Sequence, residues 1–310
     1  MDLIFFISGL TILLFGGDFL LKAAVAIAVR MNISKFVVGM TIVSFATSLP
    51  ELMTSIRAAL DGFPDLSLGN VVGSNIANLG FVLGTILFFG KIEIDKTFYK
   101  YDWPLCLGVS FLLIFLIYDG SISRLEGVFL LLILLVVIFS IFKLQLPLIN
   151  DQIDEIKVSK SWLLIGVYAI LGSFGLGLGS HFLVEGGVGL AKAFNISERV
   201  IAISLISIGT SLPELVASGM AILRKESEIS IGNLIGSNVF NILTVLGITS
   251  VIHPLHVIDD RLLSFDIWVM LGFAFVLLPL VFLPKKLQLN WREGILLSVA
   301  YISYLVVTVV

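Results

Sequence analysis

The sequence predicts an all-α polytopic membrane protein of ten transmembrane helices, built as two inverted five-helix repeats. Three observations lead there: a shortage of charge, apolar windows of spanning length, and two halves that resemble each other. Hydrophobic residues make up 58% of the 310 residues and charged residues 13%, with mean hydropathy +1.10. A soluble domain carries about 25% charged residues, because Lys, Glu, Arg and Asp are what cover a wet surface. A soluble globule, a disordered chain and a nucleic-acid binder are therefore excluded. Formal net charge is -3, so no basic face for anionic partners is implied, and no obligate protein partner is evident. Cys106 is the single cysteine, which forbids an intrachain disulfide. His181, His253 and His256 are scattered and lack zinc spacing. Met1-Asp2-Leu3 offers no cationic leader region, so the first apolar window reads as a retained span.

Charge clusters divide the apolar windows into ten spans: 3–21, 33–60, 66–89, 104–118, 126–142, 161–183, 196–223, 229–251, 265–283 and 292–309. Trp103, Trp162, Trp268 and Trp291 stand at span starts, where an amphipathic ring suits the interface. The loops on one side, 1–2, 3–4, 5–6, 7–8 and 9–10, hold 14 of the 19 Lys and Arg residues. Lys and Arg are enriched in cytoplasmic loops. That side is expected to be cytoplasmic, which leaves both termini extracytoplasmic, in a cell (inner) membrane.

The halves repeat at an offset of 163 residues. Residues 37–51 read VVGMTIVSFATSLPE and residues 200–214 read VIAISLISIGTSLPE. Residues 67–84 read SLGNVVGSNIANLGFVLG and residues 230–247 read SIGNLIGSNVFNILTVLG. No gap is needed from Gly16/Gly179 through Gly84/Gly247. The offset spans five helices. An odd number reverses direction, so the halves, 1–143 and 161–310 around a short cytoplasmic linker 144–160, have opposite topology. Inverted repeats of this kind place a transport site near the midplane.

Each half carries Thr-Ser-Leu-Pro-Glu inside an apolar span, Thr47 to Glu51 and Thr210 to Glu214. Pro50 and Pro213 lack an N–H and clash with the carbonyl four residues back. Carbonyls around Ser44 to Ala46 and Ser207 to Gly209 are expected to lose partners, and in lipid such groups need protein, water or an ion. Breaks of this sort are expected in helices 2, 3, 7 and 8. Glu51 and Glu214 sit deep in their spans, where a charge costs about 2.5–3.5 kcal/mol on insertion scales. A structural salt bridge with Arg57 or Lys225, or a protonated glutamate, is the alternative to a functional role.

The second motif puts Ser74 four residues before Asn78, and Ser237 four before Asn241, each pair able to face one direction on a helix. Gly69, Gly73, Gly232 and Gly236 permit close backbone approach. Helix packing alone suffices to explain Gly69 and Gly232. Asn70, Asn75, Asn233 and Asn238 are candidates to brace the helix breaks. The convergent groups are two carboxylates, the hydroxyls of Thr47, Ser48, Ser74, Thr210, Ser211 and Ser237, the amides of Asn78 and Asn241, and freed carbonyls. All are oxygen donors. Hard cations want oxygen, and calcium takes six to eight such ligands. Soft transition metals prefer Cys or His.

The paired Thr-Ser-x-Pro-Glu and Gly-Asn-x-x-Gly-Ser-Asn segments resemble the two α-repeats of the sodium/calcium exchanger family, here 37–84 and 200–247, in a prokaryotic type without regulatory domains. The resemblance covers essentially the whole chain. It implies an antiporter of calcium and sodium ions, with no cofactor and no enzymatic reaction. It implies four pockets in a diamond. Calcium would be held by Glu51 and Glu214 with the carbonyls of Thr47 and Thr210. Sodium would draw on Ser48, Ser74, Ser211, Ser237 and the carbonyls of Ser44 and Ser207, with Asn78 and Asn241 at the remaining corners. Two positions depart from the family pattern. Ala46 replaces the usual glycine before Thr-Ser. Asn241 stands where several relatives, including potassium-dependent exchangers, have aspartate, which speaks against potassium dependence. The resemblance also implies sliding of spans 1 and 6 over a fixed core. Gly9, Gly16 and Gly17, with Gly166, Gly172, Gly175, Gly177 and Gly179, suit sliding and static packing equally.

Three rivals draw on the same residues. A proton/calcium exchanger would replace sodium binding with glutamate protonation. An intramembrane carboxylate enzyme would need no Ser/Thr/Asn surround, and the sequence holds neither a HExxH motif nor a Ser/His dyad. A channel would need a continuous pore and would show no fixed exchange stoichiometry.

Overall fold

The computed structural model describes residues 1–144, 161–193 and 209–309. The chain opens with a 30-residue helix, α1 (Asp2–Met31), ended by Asn32 in the left-handed conformation. A span needs about 20 residues, so α1 runs ten beyond that. The sequence places the boundary at Lys22, but Lys22 stays inside the helix and pairs with Asp18 one turn earlier. A charge satisfied within its own helix does not end it. The same holds for α7 (Trp162–Ala193), which runs ten residues past the expected end at 183.

The second span is two helices. Ser34 caps α2 (Lys35–Thr47) by accepting from the Val37 N–H at 3.2 Å. The chain then bends by 41° into α3 (Leu49–Leu60). Pro50 takes the second position of α3, where its missing N–H costs nothing. The expected break in helix 2 is therefore real. Helices 3 and 8 do not break. The helix α4 (Pro64–Ile86) and the later α9 (Ser227–Ile252) each run through without interruption. No proline stands mid-helix, and the chain instead widens into π turns at Asn78–Val82 and Asn241–Leu246. Such wide turns shift the register of side chains without severing the helix.

The helices α5 (Phe98–Asp119) and α6 (Arg124–Leu144) complete the first half. In the second half α8 (Leu212–Leu223) repeats α3, with Pro213 in the place of Pro50. The chain closes with α10 (Leu262–Phe282) and α11 (Trp291–Val309). Among the described residues seven helices are long and apolar enough to cross a membrane, and the α2–α3 pair makes an eighth. At the expected break in helix 7 the described residues begin at Gly209, and Thr210 and Ser211 form a turn ahead of α8. The linker 144–160 lies outside the described residues, apart from Leu144 itself.

Two short ribbons tie the halves together. One joins β1 (Ile92–Glu93) to β4 (Gln288–Leu289), and the other joins β2 (Ser121–Ile122) to β3 (Leu255–His256), both antiparallel. In each, a strand from the first half pairs with one from the second. Burial is greatest in α9 and α4, with 83% and 72% of their spanning windows inside the protein. These two helices carry the Gly-Ser-Asn motifs. Gly39 of α2 lies on the Ile229 backbone, and Gly232 and Gly236 of α9 lie on the backbones of Phe36 and Met40. Gly69 is different, with no described residue near the place of its missing side chain.

The glycines of α1 and α7 pack these helices on each other. Gly9 faces the Leu183 backbone, Gly16 the Gly175–Leu176 backbone, Gly172 the Leu20 backbone and Gly179 the Leu13 backbone. Any Cβ there would collide with main chain. Phe5 against Phe182 and Phe19 against Tyr168, each with centroids 5.4 Å apart, extend the seam. Only Gly17 and Gly177 of this set look toward other helices, at Val216 and Pro50. Gly166 has no close neighbour. Trp103 also departs from a purely interfacial role, since its indole N–H donates to the Ala274 carbonyl at 2.8 Å.

Replacing Gly172 or Gly179 by Leu is expected to lower the thermal stability of the detergent-solubilised protein by about 1–3 kcal/mol, the usual cost of overpacking. Gly166→Ala should leave it unchanged. Equal melting of all three variants would show that the α1–α7 seam is not close-packed.

Candidate cation site

Glu51 lies in the first turn of α3 and Glu214 in the equivalent turn of α8, each just past its Ser-Leu-Pro. Both are fully buried. The two carboxylates are close enough to act on each other electrostatically. Neither has a basic partner among the described residues: Arg57 pairs with Asp61 at 3.4 Å instead. The salt bridge weighed from sequence for Glu51 is therefore not what the fold uses. Both Glu51 oxygens and Glu214 Oε2 make no hydrogen bond, while Glu214 Oε1 accepts from the Ser237 hydroxyl at 3.5 Å. A buried carboxylate without a partner is among the most costly groups a protein can hold. The neighbouring hydroxyls share the condition. Ser48, Ser74 and Ser211 are buried with unbonded oxygens, as is the whole amide of Asn78 and the carbonyl oxygen of Asn241.

Other groups of the set are engaged. The Thr47 hydroxyl lies 3.2 Å from Asn233 Oδ1 and 3.3 Å from the Ser237 hydroxyl, and it also faces Glu214. Ser44 donates to the Asn233 carbonyl at 2.9 Å and to the Gly39 carbonyl at 2.8 Å. Its own carbonyl, expected to be freed, accepts from the Ser48 N–H at 2.9 Å. The correction follows from the position of Pro50, which deprives Ala46, four residues back, and not Ser44. Thr210 is half-buried and lines a crevice, unlike the buried Thr47. Ser207 lies outside the described residues.

The asparagines form the frame around these groups. Asn70 donates to the Ser55 hydroxyl at 3.0 Å and to the Glu51 carbonyl at 3.3 Å. Asn233, its counterpart, donates to the Ser218 hydroxyl at 3.0 Å. Asn75 donates to the Asn238 carbonyl at 3.2 Å and accepts from Asn241 at 3.1 Å, which joins the two halves across their centre. Bracing by Asn70, Asn75 and Asn233 was legible as a possibility. Ser55 and Ser218 were missed, although both stand four residues after a key glutamate, one helical turn on the same face.

Among the described residues no cluster of three or more His, Cys, Asp or Glu occurs. The donor set is thus two carboxylates with hydroxyls, amides and carbonyls. Such a set suits an oxygen-loving cation and not a soft one. Beside it lies a crevice of about 910 Å³ between α2–α3 and α7, walled by Phe45, Pro50, Met53, Phe174, His181 and Thr210 among others.

Residues 1–143 and 164–310 match the family model described as sodium/calcium exchanger protein. The chain belongs to the sodium/calcium exchanger family. It is therefore a membrane transporter and not an enzyme. Among curated relatives of this exchanger, a putative antiporter from Alkalimonas amylolytica is 35% identical over 97% of the chain and 96% of its own length. Inner membrane protein YrbG of Escherichia coli is 32% identical over 96% and 94%. The sodium/calcium exchanger MaX1 of Methanosarcina acetivorans is 28% identical over 96% of both. A solved sodium/calcium exchanger from Methanococcus jannaschii superposes with TM-score 0.83 at 30% identity, covering 98% of this chain and 97% of that one.

Asn233→Ala removes both the acceptor facing Thr47 and the donor to Ser218. A stability loss of about 1–3 kcal/mol is expected from the buried groups left unpaired. Thermal unfolding in detergent should show it, and an unchanged midpoint would mean that Asn233 is not a brace.

Proposed function

We propose that the chain is a sodium/calcium antiporter working by alternating access, with ten spans as two inverted repeats of five. Calcium is held between Glu51 and Glu214 with the carbonyls of Thr47 and Thr210. Sodium is held by Ser48, Ser74, Ser211 and Ser237 with carbonyls near Ser44 and Ser207, and Asn78 and Asn241 complete the ring. The observation that carries this reading is the cluster of fully buried, unbonded oxygens at Glu51, Glu214, Ser48, Ser74, Ser211 and Asn78. A divalent cation cancels the two carboxylate charges and gives the glutamate oxygens a partner, and sodium ions do the same for the hydroxyls. The identity of the Methanosarcina and Methanococcus relatives as sodium/calcium exchangers supports sodium and calcium as the pair exchanged.

The cation asymmetry of the loops puts both termini outside a cell membrane. The crevice then opens to the extracytoplasmic side, along α3 toward Asp61. Calcium leaves the cell as sodium enters. The same unpartnered carboxylates would also serve proton exchange, so the drive must be measured.

Glu51→Gln and Glu214→Gln are each expected to reduce calcium-45 uptake into proteoliposomes, driven by a sodium gradient, to background. An amide offers no charge to a divalent ion in a dry site. Wild-type uptake by either variant would move the site elsewhere. Uptake driven by a pH gradient and indifferent to sodium would establish the proton exchanger instead.

Two glutamates balance one calcium, and the family resemblance implies three sodium ions in return. The sodium-loaded carrier then crosses with one net charge, worth about 2.3 kcal/mol per 100 mV. A potential imposed with valinomycin and potassium should accelerate exchange in one direction and retard it in the other. Rates that ignore the potential would indicate two sodium ions per calcium.

A further inference from the structure

The repeat offset of 163 residues pairs position 18 with 181, 22 with 185 and 61 with 224. These positions hold Asp18 and His181, Lys22 and Glu185, Asp61 and Arg224. Every pair has reversed charge character. In the structure one half of this arrangement is joined. Arg224, at the end of α8, donates to Asp18 of α1 at 2.6 Å, and Lys22 pairs with the same carboxylate. Alongside, Gly17 of α1 lies against Val216 and Met220 of α8. Here the α1–α7 pair is shut against the rest of the protein.

The counterpart contact is not made. Met53, the partner of Val216 in the repeat, is largely exposed on the wall of the crevice, facing α7. His181 lines that crevice and meets Glu185 of its own helix at 3.6 Å, while Asp61 meets Arg57. One side of the site is closed by an α1–α8 contact, and the other is parted between α3 and α7.

We propose that Asp18–Arg224 is the latch of this state and that His181–Asp61 is the latch of the opposite one. The inference rests on the inverted-repeat, alternating-access reading above. When one bundle rocks about a fixed site, the half that was open takes the arrangement of the half that was closed. The α7 helix then meets α3 as α1 now meets α8, Met53 seats against Ser180, and His181 arrives beside Asp61. The two latches differ in chemistry. Arginine is always charged, so the first holds at any physiological pH. Imidazoles as a class change charge between about pH 5 and 8, so the second is made only when His181 carries its proton. Glu185, on its own helix, is the charged group that meets His181, and among the described residues lining the crevice no other is titratable. Acid on the crevice side therefore favours the closed crevice.

The test is a distance measurement between spin labels on Leu60→Cys and Leu171→Cys, in a Cys106→Ala chain held in lipid nanodiscs. Both sites are exposed and neither lines the crevice. Two separations are expected, long with the crevice open and short with it closed. Asp18→Asn and, independently, Arg224→Gln should shift the open-to-closed ratio toward closed by about two- to five-fold, the range of a partly exposed ion pair. Lowering the pH from about 7.5 to about 5.5 should shift the parent the same way, and His181→Gln should abolish that response. A misfolded variant loses both separations and does not exchange one for the other, so the second latch variant keeps the test valid. A ratio unmoved by either latch variant overturns the proposal, as does an acid response absent from the parent or surviving His181→Gln. The measurement needs no ion transport, so failure of calcium uptake would count against the antiporter reading alone.

Discussion

Two carboxylates buried among apolar spans set the terms for the rest of this protein. A charge at the bilayer centre costs about 2.5–3.5 kcal/mol even on lenient scales, and here two are brought together with no basic neighbour. Everything nearby is arranged to tolerate them. The prolines turn the chain so that each glutamate enters the first turn of a helix, where the positive end of the helix dipole lowers the cost of negative charge. The asparagines and serines of α4 and α9 hold the backbone around them. Hydroxyls are left pointing inward with nothing to bond. A stable resting core would not be built this way. A site whose polar groups wait for a passing cation would.

The framework around the site is more symmetric than the site itself. The bracing bonds at Asn70–Ser55 and Asn233–Ser218 are the same in both halves, at 3.0 Å each. The groups proposed as ligands are not. Thr47 is tied to Asn233 and Ser237, whereas Thr210 faces the crevice. Two near-identical sequences therefore adopt two local arrangements within one molecule. That is possible because the difference lies in which helices approach, and not in the local propensities of the repeats.

Much of this was legible in the sequence. The Thr-Ser-Leu-Pro-Glu and Gly-Ser-Asn segments marked the buried site, because polar groups in apolar spans stand out against their background. The bend at Pro50 followed from the missing N–H. The unbroken course of α4 and α9 did not follow, because a π turn satisfies the backbone by shifting partners and leaves no residue type as a signature. The extents of α1 and α7 were misjudged for a related reason. Charge was taken as the sign of a loop, yet Lys22 is neutralised within its own helix. Glycine composition announced close packing but not its partner. Only the structure shows that Gly9, Gly16, Gly172 and Gly179 join α1 to α7. Side-chain pairing between distant segments, such as Arg224 with Asp18, carries no local pattern at all.

The glycine seam has a mechanical consequence. Helices α1 and α7 come from different halves, yet main chain lies on main chain from Gly186 against Phe6 at one end to Gly172 against Leu20 at the other. Such a pair is a single stiff lever, about 45 Å long at 1.5 Å per residue. A lever pivoting on a fixed core cannot lift at both ends together. On the alternating-access reading proposed above, ions would thereby be kept from leaking straight through, and the safeguard would lie in the missing side chains of a few glycines far from the proposed ligands.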